Sequence, residues 1–317
     1  MRRRHPKLIL PAALLIAAGL LLAETRASTP ALPPLTSEAH REALKLFEYD
    51  TKAPLDFQEA SAEEREGVVI RDVSYASPKG GRVTAYLVTP KGKGPFPGVL
   101  FMHGMPGGRN RMLSRAVRYA RAGAVGLAID APFSRRKTEG ISLTFTEKDR
   151  DDQIQLIVDL RRGVDLLASR PEVDPARIAY VGASYGGAMG GLLAGVEKRV
   201  KAYVLEVGDG GLISHFSGED DHGGPLQSRL PKERRERWLA AMEPIEPTRW
   251  IGRAAPSALL FQSGRQDDLV PPADARRYHE AGSQPKTVKW YDSGHSLPEQ
   301  AIEDQLAWLR ERIGLGS

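Results

Sequence analysis

The chain has 317 residues, 41% hydrophobic and 27% charged, with a formal net charge of +5. That length and balance suit one large core or two small ones and exclude a chain that is disordered throughout. The absence of cysteine excludes disulfides, thiolate catalysis and cysteine-ligated zinc.

At the N-terminus Arg2, Arg3, Arg4 and Lys7 precede an apolar stretch from Leu8 to Ala23, interrupted by Pro11 and Gly19, and small and polar residues follow around Thr25-Arg26-Ala27-Ser28. A basic flank, a short apolar run and a small-residue site form the pattern of a secretory signal peptide, expected over residues 1–27. The run falls just under the length that spans a bilayer, and an uncleaved N-terminal anchor is the alternative. Cleavage after Ala27 removes Arg2, Arg3, Arg4, Lys7 and Arg26 together with Glu24 and leaves a nearly neutral chain. Such a chain lacks the concentrated basic surface that phosphate binding needs, which argues against a nucleic-acid partner. Lys232-Glu233-Arg234-Arg235-Glu236-Arg237 is mixed in sign and reads as a solvated helix face. An exported protein, periplasmic or secreted, with no membrane partner after cleavage is expected.

Pro30-Ala31-Leu32-Pro33-Pro34 reads as an extended linker, and Thr36 or Ser37 can cap a helix to about Phe47; residues 28–66 form a peripheral arm. Val68 to Tyr75 and the alternating run Val83 to Val88 are joined by Ser77-Pro78-Lys79-Gly80-Gly81, a hairpin signal that starts a sheet antiparallel. Apolar strands then alternate with helical patterns: Gly98–Met102, a helix near Met112–Arg121, and Ala124–Ile129. This alternation predicts parallel strands with crossover helices. Ile157, Leu160, Val164 and Leu167 mark a further helix with Asp151 and Asp152 at its start and Pro171 past its end.

That helix delivers the chain into Arg177–Val181 and then Gly182-Ala183-Ser184-Tyr185-Gly186-Gly187, a G-x-S-x-G sequence between an apolar strand and a small-residue helix. A serine in such a turn has its hydroxyl pushed out at the top of a sheet, which makes Ser184 a candidate nucleophile. Lys201–Val207 is the next strand, and the rhythm breaks between about 208 and 250. The amphipathic stretch Trp238-Leu239-Ala240-Ala241-Met242 and the prolines at 244 and 247 suit a small cap inserted into a domain that runs over residues 67–317. The strands Ala258–Phe261 and Val288–Tyr291 follow. The expected fold class is α/β, with a mostly parallel central sheet and helices on both faces.

A serine hydroxyl needs a base within reach before it can attack an acyl carbon. His295, in Ser293-Gly294-His295 after the last strand, is assigned that role, because imidazole can take the proton and return it near neutral pH. Asp267, in Gly264-Arg265-Gln266-Asp267-Asp268, would orient the ring and stabilise the imidazolium. Asp268 is its main rival and Asp209 a second; spacing after Gly264 favours Asp267. One oxyanion donor is expected at the backbone N–H of Tyr185 and the other at that of Met105, in His103-Gly104-Met105-Pro106-Gly107-Gly108. His103 is read as shaping that loop and not as the base. His215, Glu219, Asp220, Asp221 and His222 have ligand-type spacing, but Gly218, Gly223 and Gly224 favour a solvated loop, and no metal or cofactor is expected. Phe133-Ser134-Arg135-Arg136-Lys137 could flank the substrate, its cations either drawing an acidic substrate or simply facing water.

With these residues in place, the chain from Val68 to Ile313 resembles the α/β-hydrolase superfamily, and Val173–Ile178 leading to the G-x-S-x-G turn, with Gly264, Asp267 and Val270-Pro271, is most similar to its acetyl-esterase, dienelactone-hydrolase and prolyl-oligopeptidase group. Two departures stand out. Dienelactone hydrolases carry cysteine where this chain has Ser184, and prolyl oligopeptidases carry a propeller where only the arm from Ser28 to about Gly67 precedes the sheet. The resemblance implies cofactor-free hydrolysis of a small-molecule ester, by a serine carboxylesterase acting on small or carbohydrate-linked acyl esters. Aminopeptidase-like or amidase activity is the alternative. A non-catalytic binding protein on the same scaffold is a third reading, and it predicts a damaged triad.

Overall fold

The computed structural model describes residues 32–136, 143–216 and 230–316. The leader, Lys137 and the group from Glu219 to His222 lie outside the described residues.

The hairpin forms as its pattern predicts: β2 (Val68–Ala76) and β3 (Arg82–Pro90) pair antiparallel in register from Val68↔Pro90 to Ala76↔Arg82. Ahead of them β1 (Gln58–Arg65) pairs antiparallel with β2 inside the segment expected to be a peripheral arm. Its sequence QEASAEER shows no apolar alternation because all eight residues are exposed, so backbone pairing, with ion pairs from Glu59 to Arg71 and Glu64 to Lys91, makes it a strand. Its charges also blunt the open edge of the sheet. Before β1, α1 (Ser37–Leu44) starts where Thr36 Oγ1 accepts the Ala39 N–H at 3.2 Å and continues as a short 3-10 turn to Phe47.

The strands β4 (Phe96–Met102), β5 (Val125–Ile129), β6 (Val173–Ala183), β7 (Val200–Glu206), β8 (Ala258–Gly264) and β9 (Lys286–Tyr291) pair parallel with one another. The sheet order is β1-β2-β3-β5-β4-β6-β7-β8-β9, with β3 meeting β5 antiparallel. Ile178 and Tyr180 of β6 enter one apolar layer and Ala179 and Val181 the other, which is why the strand reads as a continuous apolar run. On the first face lie α3 (Glu147–Ser169) and α4 (Tyr185–Val196); on the second lie α2 (Asn110–Arg121) and α8 (Glu299–Ile313).

The helix α3 begins before Asp151 and Asp152, at Glu147, because Thr146 caps it and the Asp149 carboxylate accepts the N–H groups of Thr144 and Phe145 at 2.8 and 2.7 Å. Between β7 and β8 the described chain forms α5 (Leu212–Phe216), α6 (Lys232–Met242) and three short 3-10 turns; α7 (Pro272–Ala281) joins β8 to β9. No described helix is long and apolar enough to cross a membrane. The parallel strands all end on one edge, so the loops after β4, β6, β8 and β9 share that edge, where ligands of open α/β sheets gather.

Candidate active site

Ser184 sits between β6 and α4 with φ 55° and ψ −118°, a conformation rare for a residue with a Cβ. Holding it costs about 1–3 kcal/mol, which the surroundings must offset. They do so through backbone bonds: the Ser184 N–H donates to Glu206 O at 2.8 Å, and its carbonyl accepts from Ala188 N at 2.9 Å. Glycine is required around it by contact. A Cβ on Gly182 would lie 2.2 Å from Gly186 O, and one on Gly186 would lie 2.3 Å from Met102 O. These approaches press the turn into the ends of β4 and β7, with Glu206 in turn fixed by an ion pair to Arg115 and by Gln305 Nε2 at 3.0 Å.

The structure brings Ser184, His295 and Asp267 together from three loops. His295 Nε2 lies 2.9 Å from Ser184 Oγ, and His295 Nδ1 lies 2.8 Å from Asp267 Oδ2 and 3.1 Å from Oδ1. A carboxylate only accepts, so Nδ1 carries the proton and Nε2 is left to accept from the serine hydroxyl. Asp267 is buried, and its Oδ1 also accepts the N–H groups of Leu269 and Val270, both at 2.9 Å. The acid and histidine loops are locked to each other by Gln266 N donating to Ser293 O at 3.0 Å, and a Cβ on Gly264 would meet Gly294 O at 2.3 Å. Asp268 is exposed, and Asp209 pairs with a different histidine: its Oδ2 lies 2.9 Å from His215 Nδ1.

The two candidate oxyanion amides flank the serine. Tyr185 opens α4, and the first N–H groups of a helix have no acceptor within it. Met105 follows Gly104, where an added Cβ would lie 3.1 Å from Ser184 Cβ and 3.6 Å from its Oγ, so this loop rests directly on Ser184. His103 is fully buried and shapes that loop. Its Nε2 accepts from Ala131 N at 3.2 Å, which puts the proton on Nδ1, and Nδ1 donates to Gly104 O at 2.7 Å. Burial lowers its pKa and keeps the ring neutral.

A cavity of about 240 Å³ opens beside Ser184 and His295, walled by Met105, Phe145, Met189, Leu212, Phe216 and Val270. Asp209 and His215 lie on its wall as well. Burial opposes protonation of His215, but the hydrogen bond and charge of Asp209 raise its pKa. The two described cations of the loop after β5 are engaged: Arg135 bonds Asp159 Oδ2 at 2.6 Å and Arg136 bonds Asp152 Oδ2 at 2.7 Å. No group of three or more potential metal-ligating His, Asp or Glu residues occurs among the described residues.

Several supporting residues left no trace in the sequence. Arg109 forms two 2.8 Å bonds to Asp72, stacks 4.2 Å over Tyr86, and its N–H donates to Asp130 Oδ1 at 2.7 Å, pinning the end of the Met105 loop to the sheet. Asp149 Oδ2 accepts from Trp238 Nε1 at 2.9 Å, tying α6 to the start of α3. These pairs join residues far apart in the chain, where no periodicity or spacing could signal them.

Comparison with known proteins matches the family described as Acetyl xylan esterase (AXE1) to residues 41–216 and the Prolyl oligopeptidase family to residues 133–315. Among curated proteins, the "Uncharacterized peptidase YuxL" of Bacillus subtilis (strain 168) is 26% identical over 259 residues, covering 73% of this chain and 37% of that protein. "Esterase FrsA" of Salmonella paratyphi B is 26% identical over 267 residues, covering 77% of this chain and 59% of that protein. The chain thus spans between 37% and 63% of the length of the first curated relatives it matches. Among solved structures, the acetyl xylan esterase from Paenibacillus sp. R4 superposes with a TM-score of 0.68 at 22% identity, over 92% of this chain and 99% of that one. Acetyl Xylan Esterase 1 from Thermoanaerobacterium sp. JW/SL YS485 gives 0.70 at 18%, over 90% and 96%. At these identities the structural likeness establishes the shared α/β-hydrolase fold.

Proposed function

Because the chain belongs to the Acetyl xylan esterase (AXE1) family over residues 41–216 and to the Prolyl oligopeptidase family over residues 133–315, we propose that it is a serine carboxylesterase cleaving small or carbohydrate-linked acyl esters through an acyl-enzyme on Ser184. The observation that carries this reading is the unbroken line from Asp267 through His295 to Ser184 Oγ, at 2.8 and 2.9 Å, at the mouth of a cavity.

In the first half-reaction Ser184 Oγ bonds to the acyl carbon while His295 Nε2 takes its proton. The negative charge on the former carbonyl oxygen faces the Tyr185 and Met105 N–H groups. The carbon–oxygen bond to the alcohol then breaks, and His295 gives its proton to the departing oxygen. Water enters by the same route in reverse, its proton passing to His295 and then to Ser184, and the acid leaves. Asp267 stays ionised throughout and holds the ring in the one tautomer that can accept from serine. No cofactor enters these steps.

The Prolyl oligopeptidase match favours an amidase or aminopeptidase-like activity as the second reading, since the same triad serves ester and amide. A non-catalytic scaffold is disfavoured by the intact hydrogen-bonded line. Aryl esters assayed beside aminoacyl amides, with a fluorophosphonate label and Ser184→Ala as control, separate the three. Ester turnover with the label on Ser184, both lost in the variant, is expected; label on another residue, or amides cleaved faster than esters, overturns the esterase assignment. The leader reading makes the mature enzyme exported, with residues 208–250 as its cap. N-terminal sequencing of the extracytoplasmic protein should begin near Ser28, and a retained Met1 in a membrane fraction would refute cleavage.

A further inference from the structure

We propose that the cavity beside Ser184 takes a hydrocarbon acyl chain of about four to eight carbons, so that the preferred substrates are medium-chain acyl esters and not acetylated sugars. The proposal rests on the esterase reading above and narrows it.

Size is the first argument. A methyl group fills on the order of the 30 Å³ share of one water molecule, so an acetyl group would leave most of the 240 Å³ unoccupied. Chemistry is the second. A sugar needs several convergent donors and acceptors, whereas among the described residues the acidic, basic and phenolic side chains on the wall, apart from His295, are Tyr185 and the pair Asp209 and His215, which bond each other.

Direction separates acyl from alcohol. The leaving oxygen must lie at His295 Nε2 to receive its proton, and the loop that holds the Asp267 partner of that ring brings Leu269, 53% exposed, to the cavity wall. Phe145, Met189 and Leu212 are buried, 7% exposed or less, and sit on the same cavity wall. The alcohol therefore leaves past an open rim, and the acyl chain runs into the buried end.

The aromatic wall is also held rigidly. Phe145 adopts φ 52°, and its backbone is fixed from both sides, its N–H donating to Asp149 Oδ2 at 2.7 Å and its carbonyl accepting from Arg234 Nε at 3.2 Å. Its ring packs 5.6 Å from that of Phe216 and 5.2 Å from that of Trp238. A non-glycine residue clamped in a strained conformation beside a cavity is a mark of a preformed binding wall.

The test is a series of p-nitrophenyl esters from acetate to decanoate, read as kcat/KM, with peracetylated xylose as the sugar arm. Each buried methylene favours binding about fourfold, so hexanoate should exceed acetate at least tenfold and peracetylated xylose should be slower than either. Ala188→Phe and Leu212→Trp, which fill the buried end, should each lower the hexanoate-to-acetate ratio at least tenfold, with thermal melting checked in both. A maximum at acetate or at the acetylated sugar in an enzyme that still labels at Ser184 overturns the chain-length proposal alone, as does an unchanged ratio in both folded variants. Absence of turnover on every ester, with no label on Ser184, overturns the esterase reading and this proposal with it.

Discussion

Replacing Asp267 by Asn is the sharpest test of the mechanism, because it changes one hydrogen-bond role and little else. Asp267 Oδ1 accepts from Leu269 and Val270, and the amide oxygen of Asn can keep both bonds. The amide nitrogen would then occupy the Oδ2 position, 2.8 Å from His295 Nδ1, and it can only donate. The ring must shift its proton to Nε2, where it faces Ser184 Oγ at 2.9 Å and can no longer accept. The same exchange in a serine protease triad lowers kcat by about 10⁴, equivalent to about 5.5 kcal/mol at the transition state. We expect a loss of that order in kcat with p-nitrophenyl hexanoate, with KM within about threefold of wild type and an unchanged thermal midpoint. Asp268→Asn, at an exposed position, and Asp209→Asn, whose carboxylate serves His215, should each cost less than about tenfold in kcat by the same logic. A drop below tenfold in Asp267→Asn, or a larger one in either control, would refute the assignment of the acid.

Three further outcomes follow from the geometry. Gly104→Ala puts a Cβ 3.1 Å from Ser184 Cβ and against its Oγ, and should lower kcat by about 10² or more, as loss of an oxyanion donor does, with the melting midpoint little changed. Arg109→Met removes both bonds to Asp72 from a mostly buried site and should destabilise by about 3 kcal/mol in urea unfolding; a change below 1 kcal/mol would count against the brace. Burial raises the Glu246 carboxyl from 4.5 to about 8 against the bonds it accepts from Ile213, Ser214 N and Ser214 Oγ. The folded state therefore keeps a proton that the unfolded chain releases, so this contribution is complete below about pH 4.5 and is lost as pH rises to 8, on the order of 5 kcal/mol in all. Glu246→Gln should flatten that slope in urea titrations at successive pH values, and an unchanged slope would place the effect elsewhere.

What the sequence disclosed, it disclosed through local rules. The hairpin from Val68 to Pro90 shows period-two alternation around a Gly-Gly turn, and the strands β4 to β8 are short apolar runs between turn residues, so each is visible within its own window. Ser184 is visible because the strained turn needs glycine at fixed offsets, and Gly104 and Gly264 mark the two other loops for the same reason of close approach. The strand β1 was hidden because an exposed edge strand that buries no side chain carries no apolar period. The start of α3 was misplaced toward Asp151 because Asp149 serves the backbone of the preceding loop and Trp238, a contact 89 positions away. The cations of Arg135 and Arg136 looked available to a substrate for a like reason: their partners Asp159 and Asp152 meet them only after the chain has folded.

Two aspartate–histidine pairs bring their imidazoles to the cavity, and composition alone does not distinguish the one that reaches the serine. Both carboxylates accept backbone N–H groups as well as an imidazole: Asp209 from Gly211 at 3.0 Å, Asp267 from Leu269 and Val270 at 2.9 Å. Both are buried, at 6% and 3% exposed, so burial does not separate them either. The difference lies in what carries the histidine. His295 hangs from a loop after β9 that is tied to the acid loop through Gln266 and Ser293, and this places its second nitrogen on Ser184. His215 instead stands on α5, whose N–H groups at Ile213 and Ser214 are held 3.1 and 2.9 Å from the Glu246 carboxyl. Its link to Asp209 thus ties α5, with Leu212 and Phe216, to the end of β7 that also fixes the serine turn. One pair reaches Ser184 Oγ and the other holds α5 on the cavity wall, and the same two residue types serve both because the fold decides which imidazole nitrogen is left facing the serine.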